Sequence, residues 1–143
     1  MPMPTVLKVM TPFPFSVDVS DKLADAEKMM IEQGFHHLPV KDGNELVGVL
    51  SERDAAIARS VRAEGASGEP VSVRSACRGR LLVVGVKEGL DEVMFKMAER
   101  RVTAALVTRE GKLAGILTTT DVYRLLGGML RDKYPSDDGD DVA

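Results

Sequence analysis

Apolar and polar positions change their period several times along this chain, and each change marks an element. Val17 and Val19 alternate with polar neighbours, which predicts a short half-buried strand. From Ser20 to about Gln33 the apolar residues Leu23, Ala26, Met30 and Ile31 recur along one side of a helix. Ser20 suits its N-cap, and Gly34 suits the left-handed position that ends it. Leu38 to Val40 predicts a second strand and Leu46 to Leu50 its partner. Asp42-Gly43-Asn44 between them is hairpin chemistry, because these residues tolerate positive φ. A helix follows from about Glu52 to Arg62.

The same series then recurs. It runs strand 83–86, helix 88–100, strand 104–108, turn at Glu110-Gly111, strand 113–117, and a helix from Thr119 to about Arg131. A shift of 67 residues lays 15–54 on 82–121 without a gap, with ten identities in forty positions. Leu23/Leu90, Met30/Met97, Val40/Val107, Gly48/Gly115 and Asp54/Asp121 are among them. The pattern predicts an α+β chain built from two copies of one β-α-β-β-α unit. The copies are related by a pseudo-twofold axis and pack through their sheets. The expected segments are a leader at 1–14, a first repeat at 15–65, a connector and second leader at 66–81, a second repeat at 82–131, and an acidic disordered tail at 132–143.

Composition narrows the class. At 143 residues, 44% apolar and 29% charged, the chain is an ordinary globular one. The apolar run Leu81 to Val84 is far shorter than the roughly 20 residues a bilayer demands. Met1 to Met10 holds two prolines and one lysine, unlike a signal peptide, so a cytoplasmic location is expected. Cys77, the single cysteine, can form neither an internal disulfide nor a thiolate metal site alone. The net charge of −3 comes from the tail: without the four aspartates of residues 135–143, 19 basic residues face 18 acidic ones. A near-neutral body argues against a nucleic-acid footprint. No nucleophile–base–orienter set, metal spacing or phosphate-cradling glycine loop is visible, so no enzyme and no metal are expected.

The informative chemistry sits where a strand hands over to a helix. Gly48-Val49-Leu50-Ser51-Glu52-Arg53-Asp54 matches Gly115-Ile116-Leu117-Thr118-Thr119-Thr120-Asp121. Two readings stay open here, and they are compatible. The hydroxyl and the aspartate three residues on can form a capping box, which contributes about 1 kcal/mol. A carboxylate at a strand end can also accept two hydrogen bonds from a vicinal diol, while nearby helix-start amides receive phosphate. Glycine in the motif lets another group approach the backbone closely.

These features together resemble a tandem pair of cystathionine-β-synthase (CBS) domains. The matching residues are Val9-Met10-Thr11-Pro12, His37-Leu38-Pro39-Val40 and the two Gly-x-x-[Ser/Thr]-x-x-Asp turns, and the likeness spans about residues 5–131. The second copy departs at Ala76-Cys77-Arg78 and at Ala105-Leu106. The resemblance implies a regulatory module whose two clefts take an adenosine compound: AMP, ADP, ATP or S-adenosylmethionine. It places Thr118, Thr120 and Asp121 with Phe13, Phe15, Phe35, His36, His37 and Pro39 in one cleft, expected to be the better furnished. It places Ser51, Arg53 and Asp54 with Leu82, Val83, Val102, Thr103 and Ala104 in the other. His36 and His37 are adjacent on a strand, so at most one should readily enter a cleft. Phe13 and Phe15 can equally be core, and Met29 and Met30 suit packing.

The resemblance also implies a homodimer stacked through helices, and an unidentified effector protein as listener. Helices 21–33 and 88–100 support the dimer, since Ile31, Val93, Met94 and Phe95 widen their apolar arcs. A ligand-free CBS-pair dimerisation scaffold is the alternative.

Overall fold

Apolar residues at strand and helix spacing collect into two separate cores, one for each half of the chain. The structure, a computed structural model, describes residues 2–12, 15–64, 70–77 and 80–136. The first half runs from a 3₁₀ turn (Val6–Lys8) through β1 (Thr11–Pro12), β2 (Val17–Asp18), α1 (Leu23–Gln33), β3 (His37–Asp42) and β4 (Glu45–Ser51) to α2 (Glu52–Glu64). The second runs through α3 (Val73–Ala76), β5 (Val83–Gly85), α4 (Leu90–Arg100), β6 (Ala104–Arg109) and β7 (Lys112–Thr118) to α5 (Thr119–Lys133).

The repeat seen in sequence holds in detail. β2 runs parallel to β3, and β3 antiparallel to β4; β5, β6 and β7 repeat that arrangement. Both hairpins slip register at the same place, Val40/Lys41 in one and Val107/Thr108 in the other. The two sheets meet through Ala104, Leu106 and Ile116, against which Leu46 and Val49 of the first sheet pack. This apolar layer holds the repeats face to face.

Each repeat is completed by the other's leader. Val6 and Met10 are buried in the second core, and Val73 and Ala76 in the first. β1 adds an antiparallel strand to β7, so the second sheet has four strands in the order β1-β7-β6-β5. The backbone bonds of the two leaders are pseudo-symmetric copies. Leu90 N donates to Pro4 O at 2.9 Å, and Leu23 N to Val71 O at 2.8 Å. Val6 N donates to Glu88 O at 3.1 Å, and Val73 N to Asp21 O at 2.9 Å.

The exchange explains a departure from expectation at α1. Ser20 does not cap it; the helix starts at Leu23 with Lys22 at the N-cap. The first amide of α1 is already satisfied by the carbonyl of Val71 in the crossing leader, which makes a side-chain cap unnecessary. Ser20 Oγ instead donates to Asp18 Oδ1 at 2.7 Å. Asp18 also accepts from the amides of Ser20 and Gly43, and the amide bond from Ser20 leads the effects that hold its carboxyl below the usual range.

Gly48 and Gly115 are where the leaders cross. A Cβ on Gly115 would lie 2.6 Å from the carbonyl oxygen of Thr11 and 2.7 Å from Met10 Sδ. A Cβ on Gly48 would fall on Cys77 Sγ. Among the expected dimer residues, Val93 is fully buried in its own core and Met94 packs against it, so α4 offers only Phe95, 74% exposed. α1 offers Ile31, 81% exposed. α5 carries a longer outward stripe: Tyr123, Leu126 and Leu130 are exposed at helical spacing, and Tyr134 at its C-cap is exposed beside them. The acidic tail from residue 137 lies outside the described residues.

The two glycines should respond differently to a methyl group. Gly115→Ala meets backbone and is expected to cost about 1–3 kcal/mol, the range for overpacking. Gly48→Ala meets a side-chain end, so Gly48→Ala/Cys77→Ala should recover most of its loss. Urea denaturation of the three variants checks both statements.

Candidate functional site

The strand β4 delivers Ser51 to the first turn of α2, and the helix then carries Arg53 and Asp54. Ser51 Oγ accepts the amide of Asp54 at 2.9 Å, which ties the turn. Across the pseudo-twofold, the segment after α4 and the start of β6 bring Val102, Thr103 and Ala104 to the same place. Between them lies an open cleft of about 770 Å³. Val49, Ile57 and the two histidines complete its wall together with Glu52, Arg80 and Arg101. Ser51, Arg53, Asp54, Thr103 and Ala104 are thus brought together.

The other members of the two sets are distributed differently. Leu82 is buried in the second core and Pro39 is fully buried, so neither presents a surface to a ligand. Strand alternation is the reason for Leu82: it points inward with Val84, which leaves Val83 42% exposed on β5 and off the cleft wall. His36 and His37 both line the Asp54 cleft rather than being split between two faces. The alternation rule does not reach His36, because β3 begins at His37 and His36 lies in the preceding bend. His36 Nδ1 pairs with Glu52 Oε2 at 2.6 Å in an exposed position.

Around Asp121 the capping reading is realised in full. Thr118 Oγ1 accepts the Asp121 amide at 3.3 Å, and Asp121 Oδ2 accepts the Thr118 amide at 3.0 Å. Oδ1 receives Thr11 Oγ1 of the leader at 3.5 Å. Thr120 is exposed one position before the aspartate. Phe13 lies outside the described residues. The Phe15 and Phe35 rings stack on each other, centroids 5.8 Å apart and tilted 45°. Phe35 also packs on the first core and lines a groove of about 330 Å³ between α1 and α2.

His37 joins the halves. Its Nε2 lies 3.3 Å from Thr103 Oγ1 across the pseudo-twofold. Burial pushes its pKa below the ordinary histidine value and His36 adds to that, while Asp54 and Asp121 both pull it back upward. Two carboxylates from the two repeated turns therefore act on one imidazole. Burial also raises the Cys77 thiol, so it is inert packing over Gly48. Among the described residues no group of three or more His, Cys, Asp or Glu is placed to hold a metal ion. Among the same residues no helix is long and apolar enough to cross a membrane.

Sequence reading missed Arg80 and Arg101. A signal for both existed in the 67-residue register, where they face Phe13 and Gly34.

The lowered pKa of His37 has a pH consequence. A histidine kept neutral by the fold binds fewer protons than the unfolded chain, so its contribution is full above pH 6.5 and lost as pH falls through the folded value. Between pH 7 and 5.5 the urea midpoint should fall, and His37→Gln should flatten that fall. Equal slopes for the two proteins would contradict it.

Comparison with known proteins agrees with this architecture. The CBS-domain family profile matches residues 6–60 and again 73–128. Inosine-5'-monophosphate dehydrogenase of Escherichia coli K12 is 33% identical over 113 residues, which are 78% of this chain. The chain spans only 22% of that enzyme's length. The CBS domain pair of protein MJ0100, solved with 5'-methylthioadenosine and S-adenosyl-L-methionine, superposes with a TM-score of 0.76 at 22% identity. That match covers 90% of this chain and 99% of the other, and it speaks for the fold alone. CBSX2, solved in complex with AMP, superposes with a TM-score of 0.68 at 28% identity, covering 89% and 98% of the two chains. With two family matches falling on the two repeats and leaders exchanged between them, this chain belongs to the CBS-domain family as a tandem pair.

Proposed function

We propose that this chain is a regulatory module that binds an adenosine nucleotide and passes its occupancy to a partner protein. The observation that carries the reading is the cleft of about 770 Å³ in which Asp54 and Ser51 of one repeat face Val102, Thr103 and Ala104 of the other. Its chemistry suits a nucleotide. Val49, Val102 and Ala104 offer an apolar slot for a base, Asp54 can accept a ribose diol, and Arg53 can meet phosphate. The AMP complex of CBSX2 supports the same class of ligand. Asp121, with Thr118 and Thr120, forms the pseudo-symmetric second position. Because the cleft wall is drawn from both repeats, a bound ligand bridges them and changes how firmly they are held together.

The exposed stripe on α5, with Ile31 and Phe95 on α1 and α4, supports self-association into a homodimer that presents this state to an effector. Light scattering should then give about twice the 15.5 kDa chain mass. Leu126→Glu/Leu130→Glu should return it to the monomer. A wild-type monomer at tens of micromolar would remove the dimer from the proposal.

A ligand that binds only the folded state stabilises it by about 2.7 kcal/mol at a hundredfold excess over Kd. AMP, ADP or ATP should therefore raise the melting temperature by several degrees, and a 2'-deoxy nucleotide less. Asp54→Asn keeps size and loses the charged double acceptor. It should melt nearly as the parent does without ligand, and lose about 1.5–3 kcal/mol of the nucleotide shift. Asp121→Asn, measured in parallel, reports the second position. An unchanged shift in both variants rejects the ribose assignment.

A further inference from the structure

The two repeated turns share a backbone plan, but the residues set around them differ in charge. Arg53, Arg80 and Arg101 all line the Asp54 cleft. In the 67-residue register their counterparts are Thr120, Phe13 and Gly34. By register, three arginines of this cleft thus correspond to a threonine, a phenylalanine and a glycine.

Arg101 is the most telling of the three. α1 and α4 both end on a left-handed residue, Gly34 at φ 71° and Arg101 at φ 55°. Glycine takes that conformation freely, whereas a residue with a Cβ is strained in it. The second repeat has an arginine at a position that the backbone would give to glycine, and that residue lines the cleft. The acids on the same wall are Glu52, which pairs with His36 at 2.6 Å, and Asp54. Guanidinium stays charged at any working pH, so the positive excess is permanent.

We infer that this cleft selects its nucleotide by phosphate charge: it takes a nucleoside di- or triphosphate in preference to the monophosphate, and disfavours a cationic adenosine compound. Arg101, with Arg80 and Arg53, is the specificity-determining group. The inference rests on the reading that an adenosine compound occupies the cleft, and the test separates the two.

Calorimetric titration with adenosine, AMP, ADP, ATP and inorganic tripolyphosphate, at low and high salt, is the experiment. Affinity should climb from adenosine to ATP, and the climb should shrink as salt screens it. Arg101→Gly should weaken ATP roughly tenfold to a hundredfold, the span expected for hydrogen bonds to a charged group, and leave adenosine unchanged. It should also melt no lower than the parent, because glycine relieves the left-handed strain. Equal affinity for adenosine, AMP, ADP and ATP would overturn the charge inference and leave the nucleoside reading standing. Tripolyphosphate binding that is lost in Arg101→Gly, with no binding of adenosine, would keep the charge inference and remove the nucleoside reading. ATP bound as tightly by Arg101→Gly as by the parent would overturn the inference.

Discussion

Two short leaders, each laid over a glycine of the opposite repeat, hold this fold together. Met10 and Thr11 cross Gly115, and Cys77 crosses Gly48. The crossings do three jobs at once. They bring Val6 and Val73 into the opposite cores, satisfy the first amides of α1 and α4 through Val71 and Pro4, and add β1 to the second sheet. A single repeat cut from the chain would lack a buried valine and would leave a helix amide without its partner. Unmet buried amides and core cavities each cost on the order of 1–3 kcal/mol, a large part of the stability of a unit this small. The repeats therefore stabilise each other, and the cleft between them inherits its geometry from that dependence.

Much of this was readable in the residues, for a physical reason. Periods of two and 3.6 come from burying one face, and Val17/Val19, Leu23/Ala26/Met30 and their counterparts report that face directly. The leader exchange was not readable. Val6 and Val73 are single buried residues in segments too short for a period, and their partners lie in the other repeat. Ser20 shows the same limit: its N-cap chemistry is sound locally, yet a carbonyl from residue 71 reaches the helix first. Gly48 and Gly115 were visible as a repeated pair, but what approaches them is the leader.

The site divides along the same line. Ser51 and Asp54 follow from the repeated turn, which is local, whereas Thr103 comes from the family resemblance. Arg80 and Arg101 line the cleft through the leader's path and a left-handed backbone, neither of which a local pattern reports. Leu82 and Pro39 fail as lining residues because a family-level correspondence fixes the position of a residue and not the direction of its side chain.

Capping and ligand binding need not compete for the repeated aspartate. A carboxylate has about four acceptor sites. At Asp121 the capping box uses Oδ2, which takes both the Thr118 amide at 3.0 Å and the Thr118 hydroxyl at 3.1 Å. Oδ1 faces only a long contact of 3.5 Å from Thr11 among the described residues. On the proposed reading, a diol arriving at Oδ1 displaces Thr11 and leaves the cap intact. Thr11 is the residue whose backbone crosses Gly115, and it pairs with Ile116 in the second sheet. On the same reading, a ligand at this aspartate would act on the strand that carries one leader across the pseudo-twofold. The helix cap, held through Oδ2, stays in place on that reading.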